Sequence, residues 1–176
     1  MRTLIILLLV SQSIFAQKYF TRTGFTGFKA SVDAFEPVQA INKSTSVILT
    51  NDGKIAAQLF ISAFKFRVSL MQEHFNENFM DSYEYPKATF KGKIDDFDSS
   101  NLTSKDVTIK GVLTVKGKEK NITTTGRVSK NGETIRLNSS FSVLAKDFDI
   151  KIPSVVRRKI ARQINITLNY ELIEKK

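Results

Sequence analysis

Apolar and polar residues alternate with a period of two over most of this chain, and that confines it to sheet structure. Phe28, Ala30, Val32 and Ala34 alternate with Lys29, Ser31 and Asp33, which gives a strand with one buried face. The pattern returns over Ile41–Leu49, Ile55–Ile61, Ala88–Ile94, Val107–Val115, Ile122–Val128, Ile135–Val143 and Ile164–Leu172. Turn chemistry separates these runs. Asn51-Asp52-Gly53, Lys116-Gly117-Lys118 and Asn131-Gly132 place glycine where a hairpin needs positive φ. The expected fold class is therefore all-β with a helical insertion: an antiparallel sheet of about eight strands, closed as a barrel or folded as a sandwich. Small inward residues (Ala30, Gly92, Gly111, Gly126 and Ser139) permit tight bending and leave room inside. They favour the barrel with an apolar cavity.

One segment departs from the alternation. Between Arg67 and Met80 the apolar residues Val68, Met71, Phe75 and Phe79 fall three and four apart, the spacing of an amphipathic helix. Tyr85-Pro86 is expected to end it, because a residue before proline avoids helical dihedrals. Asn76 and Asn78 inside the helix predict a break or a side-chain network, since short polar side chains compete for backbone groups. A further helical turn is expected after Pro153.

Residues 1–16 read as a signal peptide. Arg2 is followed by the apolar run Leu4–Val10 and the exit Ser11–Ala16, with cleavage expected between Ala16 and Gln17. The run is far shorter than the roughly 20 residues of a membrane-spanning helix. No later stretch is long enough for an integral membrane segment. The expected mature domain is 17–176, exported and soluble. The chain has no cysteine, which excludes disulfides, thiol catalysis and a lipoprotein anchor.

The formal charge is +10, and removal of Arg2 with the leader lowers it by one. Nucleic acid fits poorly with export, and the basic residues are scattered apart from Arg157, Arg158 and Lys159. A solvated basic face is the plain reading; attraction to an anionic headgroup is the functional one.

Catalytic arrangements are missing. The single histidine, His74, rules out a multi-histidine metal site, and no nucleophile elbow or phosphate-binding loop exists. Asp95, Asp96 and Asp98 lack the glycine and terminal glutamate of a calcium loop and read as a solvated turn. Asp147 and Asp149 read as loop residues or strand-edge hydrogen bonders. The chain is not expected to be an enzyme or to need a cofactor or metal.

An ordered set of motifs resembles the YceI-like family. It comprises Phe64-Lys65-Phe66, Leu70-Met71-Gln72-Glu73-His74-Phe75, Phe79-Met80 and Tyr85-Pro86-Lys87-Ala88-Thr89-Phe90. Gly111-Val112-Leu113-Thr114 and Asp147-Phe148-Asp149-Ile150 continue it. The resemblance implies a periplasmic, lipocalin-like antiparallel barrel that binds a polyisoprenoid or other amphiphilic lipid. The family's opening motif is altered here. The segment Gln17-Lys18-Tyr19-Phe20 leads directly to Gly27-Phe28, so the opening strand is expected to be missing or changed.

The candidate ligand-binding residues are apolar, inward in this register and near the helix. From the strands they are Phe28, Ala30, Phe60, Phe90, Leu113, Phe141 and Leu168. From the helical region they are Phe64, Phe66, Met71, His74, Phe75, Phe79 and Met80, with Phe148 from the late turn. Taken singly, each reads more simply as filling of a ligand-free barrel. A polar headgroup would be met by His74, Arg67, Tyr83 or the Arg157–Lys159 cluster. The expected function is an exported binding protein that sequesters or carries a polyisoprenoid or quinone-like lipid. The alternative is a structural or interaction protein of the envelope, with a filled barrel and a basic partner-binding surface. Exposed strand edges would allow a homodimer, though nothing in the sequence demands one.

Overall fold

The structure, a computed structural model, describes residues 18–31 and 37–175. The expected leader and the alternation at Val32, Asp33 and Ala34 lie outside the described residues.

The strands are β1 (Lys18–Ser31), β2 (Gln39–Thr50), β3 (Lys54–Phe60), β4 (Lys65–Phe66), β5 (Lys87–Ile94), β6 (Ser104–Val115), β7 (Lys118–Asn131), β8 (Thr134–Leu144) and β9 (Ile160–Glu174). All pair antiparallel, in the order β1-β9-β8-β7-β6-β5-β3-β2, and β1 also pairs with β2. That last pairing closes eight strands into a barrel, and β4 is an extra two-residue strand on β2. Closure satisfies the backbone groups that an open sheet would expose at its edges.

The hairpins form where glycine was expected to permit them. Gly53, Gly117 and Gly132 have φ of 85°, 71° and 58°. Gly92 and Gly111 face each other across β5 and β6, and the Phe90 ring lies over both. A Cβ at Gly92 would stand 2.3 Å from the Lys110 carbonyl oxygen and 2.7 Å from Phe90 Cζ. These two glycines thus make room for an aromatic ring inside the barrel.

Of the alternatives for the opening strand, missing or changed, the first falls away, and the expected helix end needs correction. The opening strand is present: β1 begins at Lys18, and Tyr19, fully buried, pairs with Leu49. The alternation there is obscured by bulges between Thr21 and Thr26, which shift which side chains point inward. The helix also stops earlier than Tyr85-Pro86. Helix α1 (Ser69–His74) runs on into a π turn (Phe75–Phe79), and Asp81 then adopts left-handed backbone at φ 50°.

One end of the barrel is packed solid. Tyr19, Leu49, Ile94, Val128, Ile135 and Leu172 are buried there, and Phe97 and Leu102 from the β5–β6 loop cover them. The acidic residues of that loop serve the turn. Asp98 accepts hydrogen bonds from the Ser100 amide and the Asn101 side chain, and Asp95 pairs with Lys110 at 2.7 Å. No helix among the described residues is long and apolar enough to cross a membrane.

Candidate functional site

The other end of the barrel is built around α1 and its π turn. The Met80 amide donates to the Phe75 carbonyl at 2.9 Å, a five-residue step that is the π signature. Lys116, at the β6–β7 hairpin, donates to the Phe79 carbonyl at 3.0 Å and ties the helix end to the barrel rim. Of the break or side-chain network expected around Asn76 and Asn78, the break occurs: the α-helix gives way to the π turn after His74, and the Asn76 side-chain oxygen is buried without a hydrogen-bond partner.

This helix sets an aromatic cluster over the barrel mouth. Phe28 of β1 contacts Phe64, Phe66 and Phe75 at ring-centroid distances of 5.1, 5.8 and 5.4 Å. Phe64 and Phe66 also contact Phe75, at 5.7 and 5.0 Å. Ala40, Leu59, Ile61 and Met80 bury against the same cluster.

Between this cluster and the packed end lies a cavity of about 430 Å³, within the range of small-molecule sites. Its walls are almost wholly apolar. Of the expected residues, the strands bring Phe28, Ala30, Phe90, Leu113, Phe141 and Leu168 to it. The helical region brings Phe64, Phe66, Met71, Phe75, Phe79 and Met80, and Phe148 closes the wall near β9. His74 lies on the lining at the rim, with its residue surface largely exposed.

Phe60 is the exception and is corrected here. It is 49% exposed, and the Lys87 ammonium sits 5.3 Å from its ring centre on the outer surface. Strand parity explains this: Ile55, Ala57 and Leu59 point inward along β3, which leaves Phe60 outward. The 3₁₀ turn Ile61–Ala63 then resets the phase, so Phe64 faces in again. Of the headgroup candidates, Lys159 reaches the lining. Tyr83 is fully exposed and, with Arg67, Arg157 and Arg158, stands outside it.

Several lining residues escaped the sequence reading. Ala57, Ala88, Val115, Ile122, Ile164 and Ile166 continue the inward parity and were legible in principle. Three polar residues, Thr26, Thr45 and Tyr170, were not. Thr26 and Thr45 hydroxyls are hydrogen-bonded at 2.8 Å, and Thr26 and Tyr170 hydroxyls at 3.1 Å. Burial pushes the Tyr170 phenol up to about 12. Gly24 provides the space for its ring, since a Cβ there would lie 2.7 Å from Tyr170 Cδ1.

The Asp147-Phe148-Asp149 turn is fastened by charge. Lys118 pairs with Asp149 at 2.8 Å and Lys120 with Asp147 at 3.2 Å. Lys118 holds the exposed Asp149 carboxyl below the usual carboxylate range. Among the described residues, no three His, Asp or Glu side chains are grouped to hold a metal ion.

A closed eight-stranded antiparallel barrel with an apolar cavity under a short helix defines a lipocalin-like barrel architecture. The chain belongs to the YceI-like family: the family model of the YceI-like domain matches residues 11–172. Solved structures share the fold at low identity. A polyisoprenoid binding domain from Saccharophagus degradans, implicated in plant cell wall breakdown, superposes with a TM-score of 0.79 at 12% identity, over 91% of this chain and 99% of that one. BcnA from Burkholderia cenocepacia gives 0.70 at 17% identity, over 84% and 95%. The YceI protein of Campylobacter jejuni gives 0.66 at 18% identity, over 81% and 88%. No curated protein matches the chain significantly.

Proposed function

We propose that this protein is an exported, periplasmic carrier that sequesters an amphiphilic lipid of polyisoprenoid or quinone-like type in its barrel. The observation that carries this reading is the apolar cavity of about 430 Å³, framed by α1 and the aromatic cluster. Transfer of an isoprenoid chain into it would gain roughly 25 cal/mol for each Å² of apolar surface removed from water. Ordering and desolvation costs reduce that gain. The neighbour from Saccharophagus degradans is described as a polyisoprenoid binding domain, which supports the same ligand class. Residues 1–16 supply the export signal in this reading. The cavity-lining residues named above hold the lipid, and Met71 and Met80 adapt their flexible side chains to it. The open apolar volume weighs against a side-chain-filled barrel that acts only through its basic face.

Mass spectrometry of an organic extract tests the proposal. The protein is purified from its native envelope without detergent, beside a control of similar size and charge. A stoichiometric isoprenoid or quinone-like lipid is expected with this protein alone. A lipid-free extract from folded protein overturns the carrier reading and turns attention to partners of the basic surface.

A further inference from the structure

The cavity walls are mostly apolar, and of the polar residues that line them, which include Thr89 and Thr124, three bring their hydroxyl groups together at one inner position. Thr26 is 6% exposed, Thr45 1% and Tyr170 3%, and all three line the cavity. Tyr170 belongs to the packed core at the closed end, so the group lies away from the helix-framed mouth. Its hydrogen count does not balance internally. Three hydroxyls carry three hydrogens, yet only two contacts join them, Thr26 with Thr45 and Thr26 with Tyr170. Among the described residues no other acceptor is hydrogen-bonded to these side chains. One hydroxyl hydrogen is therefore left over in a place where an unmet donor is costly. Nearby hydroxyls differ: Ser139 donates to the Thr125 carbonyl at 2.7 Å.

We propose that the Thr26–Thr45–Tyr170 group is the headgroup site, and that it takes a neutral oxygen acceptor at the end of an apolar chain. This deepens the carrier reading and rests on it. The ligand then enters head first, with a carbonyl or alcohol oxygen accepting the spare hydrogen and its chain extending toward α1. A phosphorylated lipid cannot occupy this orientation. No lysine or arginine lines the inner cavity, and Lys159 is at the mouth beside the turn before β9. An anion buried against three neutral hydroxyls would lose its hydration without a counter-charge.

Displacement of the fluorescent apolar probe N-phenyl-1-naphthylamine tests this with three ligands: farnesylacetone, a hydrocarbon of the same skeleton, and farnesyl diphosphate. The ketone accepts a hydrogen bond and cannot donate one. It is expected to displace the probe at about tenfold lower concentration than the hydrocarbon, and the diphosphate to be weakest. Tyr170→Phe and Thr45→Val should each shrink the ratio of ketone to hydrocarbon displacement, read within each variant. Equal displacement by ketone and hydrocarbon, preference for the diphosphate, or a preference that survives both substitutions overturns the headgroup site alone. Displacement by none of the three overturns the carrier reading as well. Should the variants fail to fold, the carbonyl stretch of ¹³C-labelled ketone bound to the unaltered protein decides. A shift to lower frequency than in hexane supports the site, and an unshifted band overturns it.

Discussion

The rings of Phe28 and Phe75 are stacked, with centroids 5.4 Å apart and planes inclined by 26°. One comes from β1 and the other from the junction of α1 with its π turn, so this pair docks the helical segment onto the barrel. Phe75 also contacts Phe64 and Phe66. Phe75→Ala should therefore cost about 2–3 kcal/mol, below the full value for a wholly buried phenylalanine because Phe75 is only half-buried. Urea denaturation measures the loss. Backbone hydrogen exchange should show faster opening confined to residues 69–80.

Phe60 and Phe64 offer a matched contrast across four residues of chain. Phe60 is 49% exposed, whereas Phe64 is 6% exposed and packed against Phe28 at 5.1 Å. Phe64→Ser should destabilise by about 4 kcal/mol through cavity creation and lost ring contacts. Phe60→Ser should change stability by about 0.5 kcal/mol, the scale of an exposed cation–π contact with Lys87. Thermal melts of the two variants distinguish them directly.

That contrast marks how far the sequence could be read. Parity assigns Phe28, Phe90, Leu113 and Leu168 to the barrel interior because each strand is regular there. It fails for Phe60, because phase is reset by a short turn whose position depends on how β3 hands over to β4 on β2. Closure itself rests on the pairing of β1 with β2 and β9, and its bulges hide the inward pattern of Tyr19, Thr21 and Gly24. Thr26, Thr45 and Tyr170 looked like ordinary strand residues, since their meeting depends on contacts across as many as 144 positions. Local periodicity carries no information about such distant pairs.

Gly92 and Gly111 should tolerate no side chain. A Cβ at Gly92 would meet the Lys110 carbonyl oxygen at 2.3 Å, and one at Gly111 the Lys91 carbonyl oxygen at 2.4 Å. Both obstacles are backbone, so neither can swing aside. Gly92→Ala and Gly111→Ala should each destabilise by about 3 kcal/mol. Gly132→Ala is the control for position in a turn: no atom lies within 4 Å of its Cβ, and the cost is limited to its φ of 58°. Its loss should stay near 1–2 kcal/mol by the same urea titration.

Leu113 lines the cavity on β6, opposite Phe90 of β5. Leu113→Trp would extend a larger ring into the open volume rather than into close-packed core. Stability should change by no more than about 1–3 kcal/mol, while uptake of a fluorescent apolar probe falls about tenfold. Unchanged uptake by a folded Leu113→Trp variant would place the binding volume elsewhere.

Tyr170 makes a prediction about alkaline stability. Burial raises its phenol from the ordinary 10.0 to about 12, because the phenolate would be desolvated in the barrel. The folded protein thus holds this proton more tightly than the unfolded chain does. The linked stability is complete below pH 10 and is lost as pH climbs through 12. The loss should reach roughly 2 kcal/mol by pH 12. Half-buried Tyr85 is also raised, by its neighbour Glu84, and lysines lose charge in the same range, so the comparison must be internal. Tyr170→Phe removes a hydroxyl bonded to Thr26 and should cost about 1 kcal/mol at neutral pH. Its stability should then decline less steeply than that of the parent between pH 10 and 12. Phenolate absorbance near 295 nm gives an independent readout: one late-titrating tyrosine should disappear from the curve in the variant. Parallel alkaline profiles for parent and variant would show that the phenol is not held neutral by the fold.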